Sequence, residues 1–260
     1  MIDYIESASI SKHADGQGNE DRLFMRDNLC AVIDGATTKH LGPGATGATV
    51  ADLVCDSLSR ATLDDGLPQL VRIISQHVRD GLSGRTAPHT RPSATLLLYS
   101  AVHRQVLRVG DSHLAINGEA VRGAKQIDRL LAEVRSLYVR LSGSWTAEDD
   151  TGRALILPVL RQQYRLQNSL AFDEYGYGCI DGSAVPGRFI ETWNVPDGAE
   201  IILCSDGYLS PAPTLAQAEA ELHEALKADP ACIGTLKGTK GLNARQVSFD
   251  DRSYVRLHTR

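Results

Sequence analysis

Cys30-Ala31-Val32-Ile33-Asp34-Gly35-Ala36-Thr37 is the stretch on which the fold turns. Cys30 to Ile33 is a short apolar run of strand type, and Asp34-Gly35 breaks it where a loop must begin. A carboxylate at the end of a buried strand is held rigidly yet reaches solvent. That suits a ligand for a hard cation, because oxygen donors select Mg²⁺, Mn²⁺ or Ca²⁺. One Asp-Gly after a strand is only a turn, but the pattern recurs. Ile201 to Leu203 leads through Cys204-Ser205 to Asp206-Gly207, and Val106 to Val109 ends in Gly110-Asp111. Asn19-Glu20-Asp21 stands just upstream of the first of these strands, and Asp250-Asp251 opens the last one. Carboxylates at strand ends so far apart in sequence converge only if the strands share a sheet edge.

At 260 residues the chain is long enough for one large core, and a single domain over 1–260 is expected. A formal net charge of −5, with no Lys/Arg run, argues against a nucleic-acid binder. No apolar run approaches the length of a membrane span, and Met1-Ile2-Asp3-Tyr4-Ile5-Glu6 lacks the basic start of a signal peptide. The five cysteines (Cys30, Cys55, Cys179, Cys204 and Cys232) are odd in number and scattered, without CxxC spacing. Cys30 and Cys204 lie inside apolar runs, where a free thiol behaves as a small hydrophobe. A reducing cytoplasm and a monomer are expected.

Along the chain, Met1 to Ile10 alternates as an opening strand. Leu23 to Met25 and Leu29 to Ile33 form a hairpin turning at Asp27-Asn28. Helical spacing runs from Ala45 to about Ala61 and again over Leu67 to Leu82. Strands follow at Ser93 to Val102, Gln105 to Val109 and His113 to Ile116, the last turning at Asn117-Gly118. Gln126 to Leu141 is helical. Thr146 with Asp149 has capping-box spacing for a further helix, interrupted at Pro158 and ending near Asn168. Strands at Arg188 to Asn194 and Glu200 to Ser205 precede a helix over Thr214 to Ala228. Asp229 to Val247 is polar, glycine-rich and expected to be mobile, and Asp251 to His258 closes as a strand. Grouped strands alternating with paired helices fit a layered α+β sandwich rather than a βαβ sheet.

Asn19-Glu20-Asp21, Asp34-Gly35, Ser93-Ala94-Thr95, Gly110-Asp111-Ser112, Ser205-Asp206-Gly207 and Asp250-Asp251 occur in the order and context of the metal-dependent serine/threonine protein phosphatases of type 2C. From Asn19 to Leu257 the chain resembles a compact, divergent bacterial-type member. The resemblance implies a four-layer α-β-β-α sandwich of two antiparallel sheets flanked by helix pairs, with the metals at one end. It makes Asp34 the carboxylate bridging two Mg²⁺ or Mn²⁺ ions and the Gly35 carbonyl a further ligand. Asp206 and Asp250 complete one metal, Glu20 serves the other, and Asp21 steadies the ligands and their waters. Asp111, with the Asp206 position, matches a site for a third, weaker ion. The implied reaction is hydrolysis of phosphoserine or phosphothreonine on a protein, by a water bridging two ions and with no side-chain nucleophile.

Two departures from the family stand out. Its phosphate-gripping arginine falls at Gly16 here, leaving Lys12, Arg22 or Lys39 as substitutes, and a lysine lacks the bidentate fork. The histidine that follows the Asp-Gly in relatives has a counterpart only in His40, a candidate general acid. The helical segment 124–168 replaces a flap beside the active site. Asp181 and Asp197, also in Asp-Gly pairs, read as plain turns. Asp250 is preferred to Asp251 as ligand, and the eight histidines show no zinc spacing. Two other readings stay open: a phosphatase-fold binding or regulatory module with little catalysis, and a phosphoesterase for a small metabolite.

Overall fold

The computed structural model describes residues 1–36, 44–64, 66–84 and 91–260. Two antiparallel five-stranded sheets form its centre. The first runs β1 (Ile2–Ile10), β10 (Arg252–Thr259), β9 (Glu200–Cys204), β6 (His113–Ile116) and β7 (Glu119–Val121). The second runs β2 (Arg22–Met25), β3 (Leu29–Ile33), β4 (Leu96–Ser100), β5 (Gln105–Val109) and β8 (Glu191–Asn194).

Strand periodicity decides which residues meet between the sheets. Cys30, Val32, Leu97, Tyr99 and Val106 face Leu114, Ile201, Leu203, Val255 and Leu257 across the interface. The alternate residues Ala31, Ile33, Leu96, Leu98, Leu107 and Val109 pack instead beneath α1 (Gly47–Arg60) and α2 (Leu67–Leu82). Both faces of β3 are therefore buried, which is why its sequence is an unbroken apolar run. Each such leucine or isoleucine contributes about 1.5–3 kcal/mol by burial. On the far face of the first sheet, Ala115, Ile202, Cys204 and Tyr254 are covered by Ala218, Leu222 and Leu226 of α5 (Leu215–Ala228). Helix, sheet, sheet and helix make four layers.

The helix ends follow local chemistry. Thr46 and Thr49 cap α1 reciprocally, and the Thr214 hydroxyl accepts from the Gln217 amide at the start of α5. α3 (Gln126–Ser142) and α4 (Thr151–Leu160) pack on each other through Ile127, Leu131, Ile156 and Leu160, with Leu166, Tyr175 and Tyr177 against them.

Three local expectations are corrected. The cap of α4 is Asp150, which accepts from the Arg153 amide, whereas Thr146 closes a turn with the amides of Glu148 and Asp149. α4 passes through Pro158 and stops at Leu160, well short of Asn168. A proline two residues before the end removes only one hydrogen bond, so the helix finishes its last turn before breaking. The 229–247 segment is tied down rather than loose. Arg135, fully buried, donates to the carbonyls of Ala231, Cys232 and Gly238 at 2.8, 3.2 and 3.1 Å, and its charge is met by Asp150 at 2.6 Å.

Candidate metal centre

The strand register brings the acidic strand ends to one end of the sandwich. In the second sheet Arg22 pairs with Ile33 and Leu96 with Val109, so Asp21, Asp34, Thr95 and Asp111 lie at the same edge. In the first sheet His113 and Tyr254 both pair with Cys204, which sets Asp111, Asp206 and Asp250 beside one another. Between β5 and β6 the chain crosses from one sheet to the other at Gly110-Asp111-Ser112. Gly110 takes φ +110° there, and a Cβ on it would meet Thr95 at 2.7 Å.

Glycines also permit the close backbone approaches that aim the carboxylates. A Cβ on Gly35 would stand 2.6 Å from the Glu20 carbonyl oxygen and from the Gly47 carbonyl carbon, pressing on the start of α1. A Cβ on Gly207 would stand 2.0 Å from the Asp251 carbonyl oxygen. These Asp-Gly pairs are thus required by packing as well as by turn geometry.

Asp34, Asp111 and Asp206 offer oxygens that all lie within 4.8 Å of one another. They line a cleft of about 1290 Å³ together with Gly35, Lys12, Lys125, Asp250 and Lys240. Burial pushes the Asp34 carboxyl well up, and the charges of Asp21 and Asp250 add to the push. Asp206 is pushed up by burial and then by Asp111 and Asp34. Asp21, 2 % exposed, accepts from the Ser205 hydroxyl at 2.8 Å, while its other oxygen has no hydrogen-bond partner among the described residues. Burial raises this carboxyl to about 7. Crowded oxygen donors short of positive charge, beside an orphaned buried oxygen, fit a hard divalent cation.

Other parts of the cluster already hold cations. The Lys12 ammonium lies 3.3 Å from Asp250, 3.0 Å from Asp251 and 3.4 Å from Glu20. Lys240 meets the second Asp250 oxygen at 2.8 Å. Against the cost of burial, Lys240 and Lys12 hold the Asp250 carboxyl well below the usual range. Asp251, 3 % exposed, accepts from the backbone amides of Lys12 and Glu20, so it anchors the N-terminal loop while Asp250 faces the cleft. Lys125 stands 2.8 Å from Asp111.

The expected substitutes for the missing arginine fare differently. Arg22 is committed to Asp52 at 2.7 Å and to the carbonyls of Asn19 and Asp21. Lys12 braces carboxylates, and Lys39 and His40 lie outside the described residues. Gly16 sits in an exposed turn at φ +73°. Asp197 is the surface turn expected, paired with Arg104 at 2.7 Å. Asp181 is not a plain turn. Its side chain is fully buried and accepts from Asn168 at 3.1 Å, from the Ser183 amide and hydroxyl at 2.8 and 2.6 Å, and from Arg91.

No family model and no curated protein matches the chain. Among solved structures, the catalytic domain of the serine/threonine protein phosphatase PstP in complex with two manganese ions aligns over 99 % of each chain, at TM-score 0.51 and 16 % identity. The chain has the type 2C phosphatase fold. A bacterial serine phosphatase gives TM-score 0.52 at 13 % identity, over 99 % of this chain and 98 % of that one. At these identities the likeness concerns the backbone, and the acidic end of this phosphatase fold has to be read from its own side chains.

Sequence reasoning missed Lys125 and Lys240, both of which reach carboxylates of the cleft. Gly123 precedes Lys125 by two residues, and a Cβ there would lie 2.2 Å from the Asp111 carbonyl oxygen.

Proposed function

We propose that the chain is a Mg²⁺- or Mn²⁺-dependent phosphatase, a single domain over 1–260, that removes phosphate from serine or threonine of a protein. The observation that carries this reading is the convergence of Asp34, Asp111 and Asp206 within 4.8 Å, beside the orphaned oxygen of Asp21. Asp34, Asp206 and the Gly35 carbonyl are the groups to hold the ions. Asp250 and Glu20 stand at the flank, where Lys12 must release them before they serve as ligands. When bound, divalent ions make a water nucleophilic near neutral pH and supply positive charge toward the phosphoryl oxygens.

The residues' own work is then positional. Asp21, fixed by Ser205, which itself accepts from the Ser253 amide at 2.8 Å, stays buried behind Asp34 and adds its charge to that carboxylate's environment. Thr95 and Ser112 share a hydrogen bond of 2.9 Å across the edge where the sheets meet, holding Asp111 in place. No buried serine or cysteine nucleophile is invoked: burial drives the thiols of Cys179 and Cys204 toward the protonated form.

One observation favours a second reading, a phosphatase-fold binding module with little catalysis. Lys12, Lys125 and Lys240 already neutralise part of the acidic cluster from within the chain. Hydrolysis of p-nitrophenyl phosphate with Mn²⁺ and with EDTA separates the two. Mn²⁺-dependent turnover that is lost in Asp206→Asn supports the enzyme. A folded wild-type protein without turnover at millimolar Mn²⁺ supports the module. Phosphopeptide and small-metabolite substrates compared at equal concentration then test the substrate class.

A further inference from the structure

We infer that Lys125 is a built-in cation of the cleft, holding Asp111 so that this carboxylate does not serve as a metal ligand. The inference rests on the metal-binding reading of Asp34 and Asp206. It departs from the third ion that the resemblance assigns to Asp111.

The ion pair is built into the backbone. Gly123 lies directly against the Asp111 carbonyl, and its amide donates to the His113 ring at 3.0 Å, so the 122–125 segment is fastened to the turn that carries Asp111. Lys125 then stands immediately before α3, whose Ile127 and Leu131 are packed in the α3–α4 core. With both ends of the short connection fixed, the lysine stem has little choice of direction. Its side chain is 16 % exposed, the ammonium is 2.8 Å from Asp111, and it also lies 5.4 Å from the centre of the Tyr177 ring, within cation–π range.

The lysines on Asp250 are placed differently. Lys12 is shared among three carboxylates, and Lys240 comes from the 229–247 segment to a carboxylate that is 31 % exposed. Lys125 makes its direct ion pair with Asp111, whose side chain is 7 % exposed, and its charge also reaches Asp128 and Asp206. A divalent ion on Asp111 would share its ligand with an ammonium in direct contact, whereas Asp34 and Asp206 feel the Lys125 charge without a direct ion pair among the described residues. Lys125 thereby sets how many ions the cleft accepts.

The test counts bound Mn²⁺ by titration calorimetry and by the loss of the free-ion electron paramagnetic resonance signal. It compares wild type, Asp111→Asn, Lys125→Met and the double variant, each first checked for a cooperative melt. Wild type and Asp111→Asn are expected to bind the same number of ions. Lys125→Met should bind one more, and the double variant should return to the wild-type number. Lys125→Gln serves in place of Lys125→Met if the latter does not fold. A count that drops by one in Asp111→Asn overturns the inference, since Asp111 then binds metal despite Lys125. An unchanged count on removing Lys125 overturns it as well. If wild type binds no Mn²⁺, the reading of Asp34 and Asp206 has failed. The inference falls with it in that case, since Lys125 then limits no metal site.

Discussion

Replacing Asp206 by asparagine should stabilise the protein without metal and weaken it with metal. The Asp206 oxygens lie within 4.8 Å of those of Asp34 and Asp111. Two unit charges at that distance repel by about 3.5 kcal/mol at an effective dielectric of about 20. Much of this is relieved, because burial and the neighbouring charges already favour the protonated carboxyl. We therefore expect a gain of ~1–2 kcal/mol, which is a rise of roughly 2–8 °C in Tm for a chain of this size. At Mn²⁺ a hundredfold above its Kd, wild type gains about 2.7 kcal/mol. If the lost charge weakens binding a hundredfold, the variant gains only about 0.4 kcal/mol at the same concentration. Thermal melts in EDTA and in Mn²⁺ should thus rank the two proteins in opposite orders, and the variant should have no phosphatase activity. A variant that melts below wild type in EDTA and keeps the full Mn²⁺ shift would refute the reasoning.

Asp197→Asn, at an exposed turn paired with Arg104, is the matched control and should change stability by less than about 1 kcal/mol. The pH dependence has a definite sign. Asp21 is raised from 3.8 to about 7, so its contribution to stability is full below 3.8 and is lost as pH climbs through 7. Asp34 and Asp206 act in the same direction. His113, lowered by burial from 6.5 to about 4, loses its contribution only as pH falls below 6.5. Between pH 6.5 and 8 the melting temperature in EDTA should therefore fall. The Mn²⁺ shift should grow over the same range, because binding displaces protons; a shift independent of pH would contradict this. Asp181→Ala should cost ~2–4 kcal/mol by stranding Arg91, Asn168 and Ser183 donors, while leaving the Mn²⁺ shift intact. Gly207→Ala should lower Tm and abolish the Mn²⁺ shift, since its methyl must displace the Asp251 backbone; a Tm within 1 °C of wild type, by scanning calorimetry, would speak against so tight a contact.

The layers were legible because β3, β4 and β9 are buried runs whose residue types leave no other reading. Four Asp-Gly pairs show where legibility stops. Asp34, Asp181, Asp197 and Asp206 look alike locally, yet two face the cleft, one braces a buried network and one is a surface turn. What distinguishes them is which end of which strand they follow, and that is a property of the sheet order. The ion pairs of Lys125 and Lys240 were hidden for a related reason. A lone lysine reads as a solvated charge until its carboxylate is placed beside it by register. Arg135 is a sharper instance. Helical spacing alone does not say that an arginine between apolar positions is fully buried, with carbonyls from residues 231 to 238 around it.

The first sheet places β10 between β1 and β9, so segments from opposite ends of the sequence must meet before that sheet is whole. During synthesis β1 emerges early and has no neighbour in the sheet until β10 leaves the ribosome. Only then do the amides of Lys12 and Glu20 find Asp251, and only then does Asp250 join the cleft. Pairing over so long a loop is slow, because chain closure precedes any reward from contact. A growing or C-terminally clipped chain would carry Asp34 and Asp206 on unfinished sheets. The acidic cleft is thus assembled late, only once β10 has joined β1 and β9.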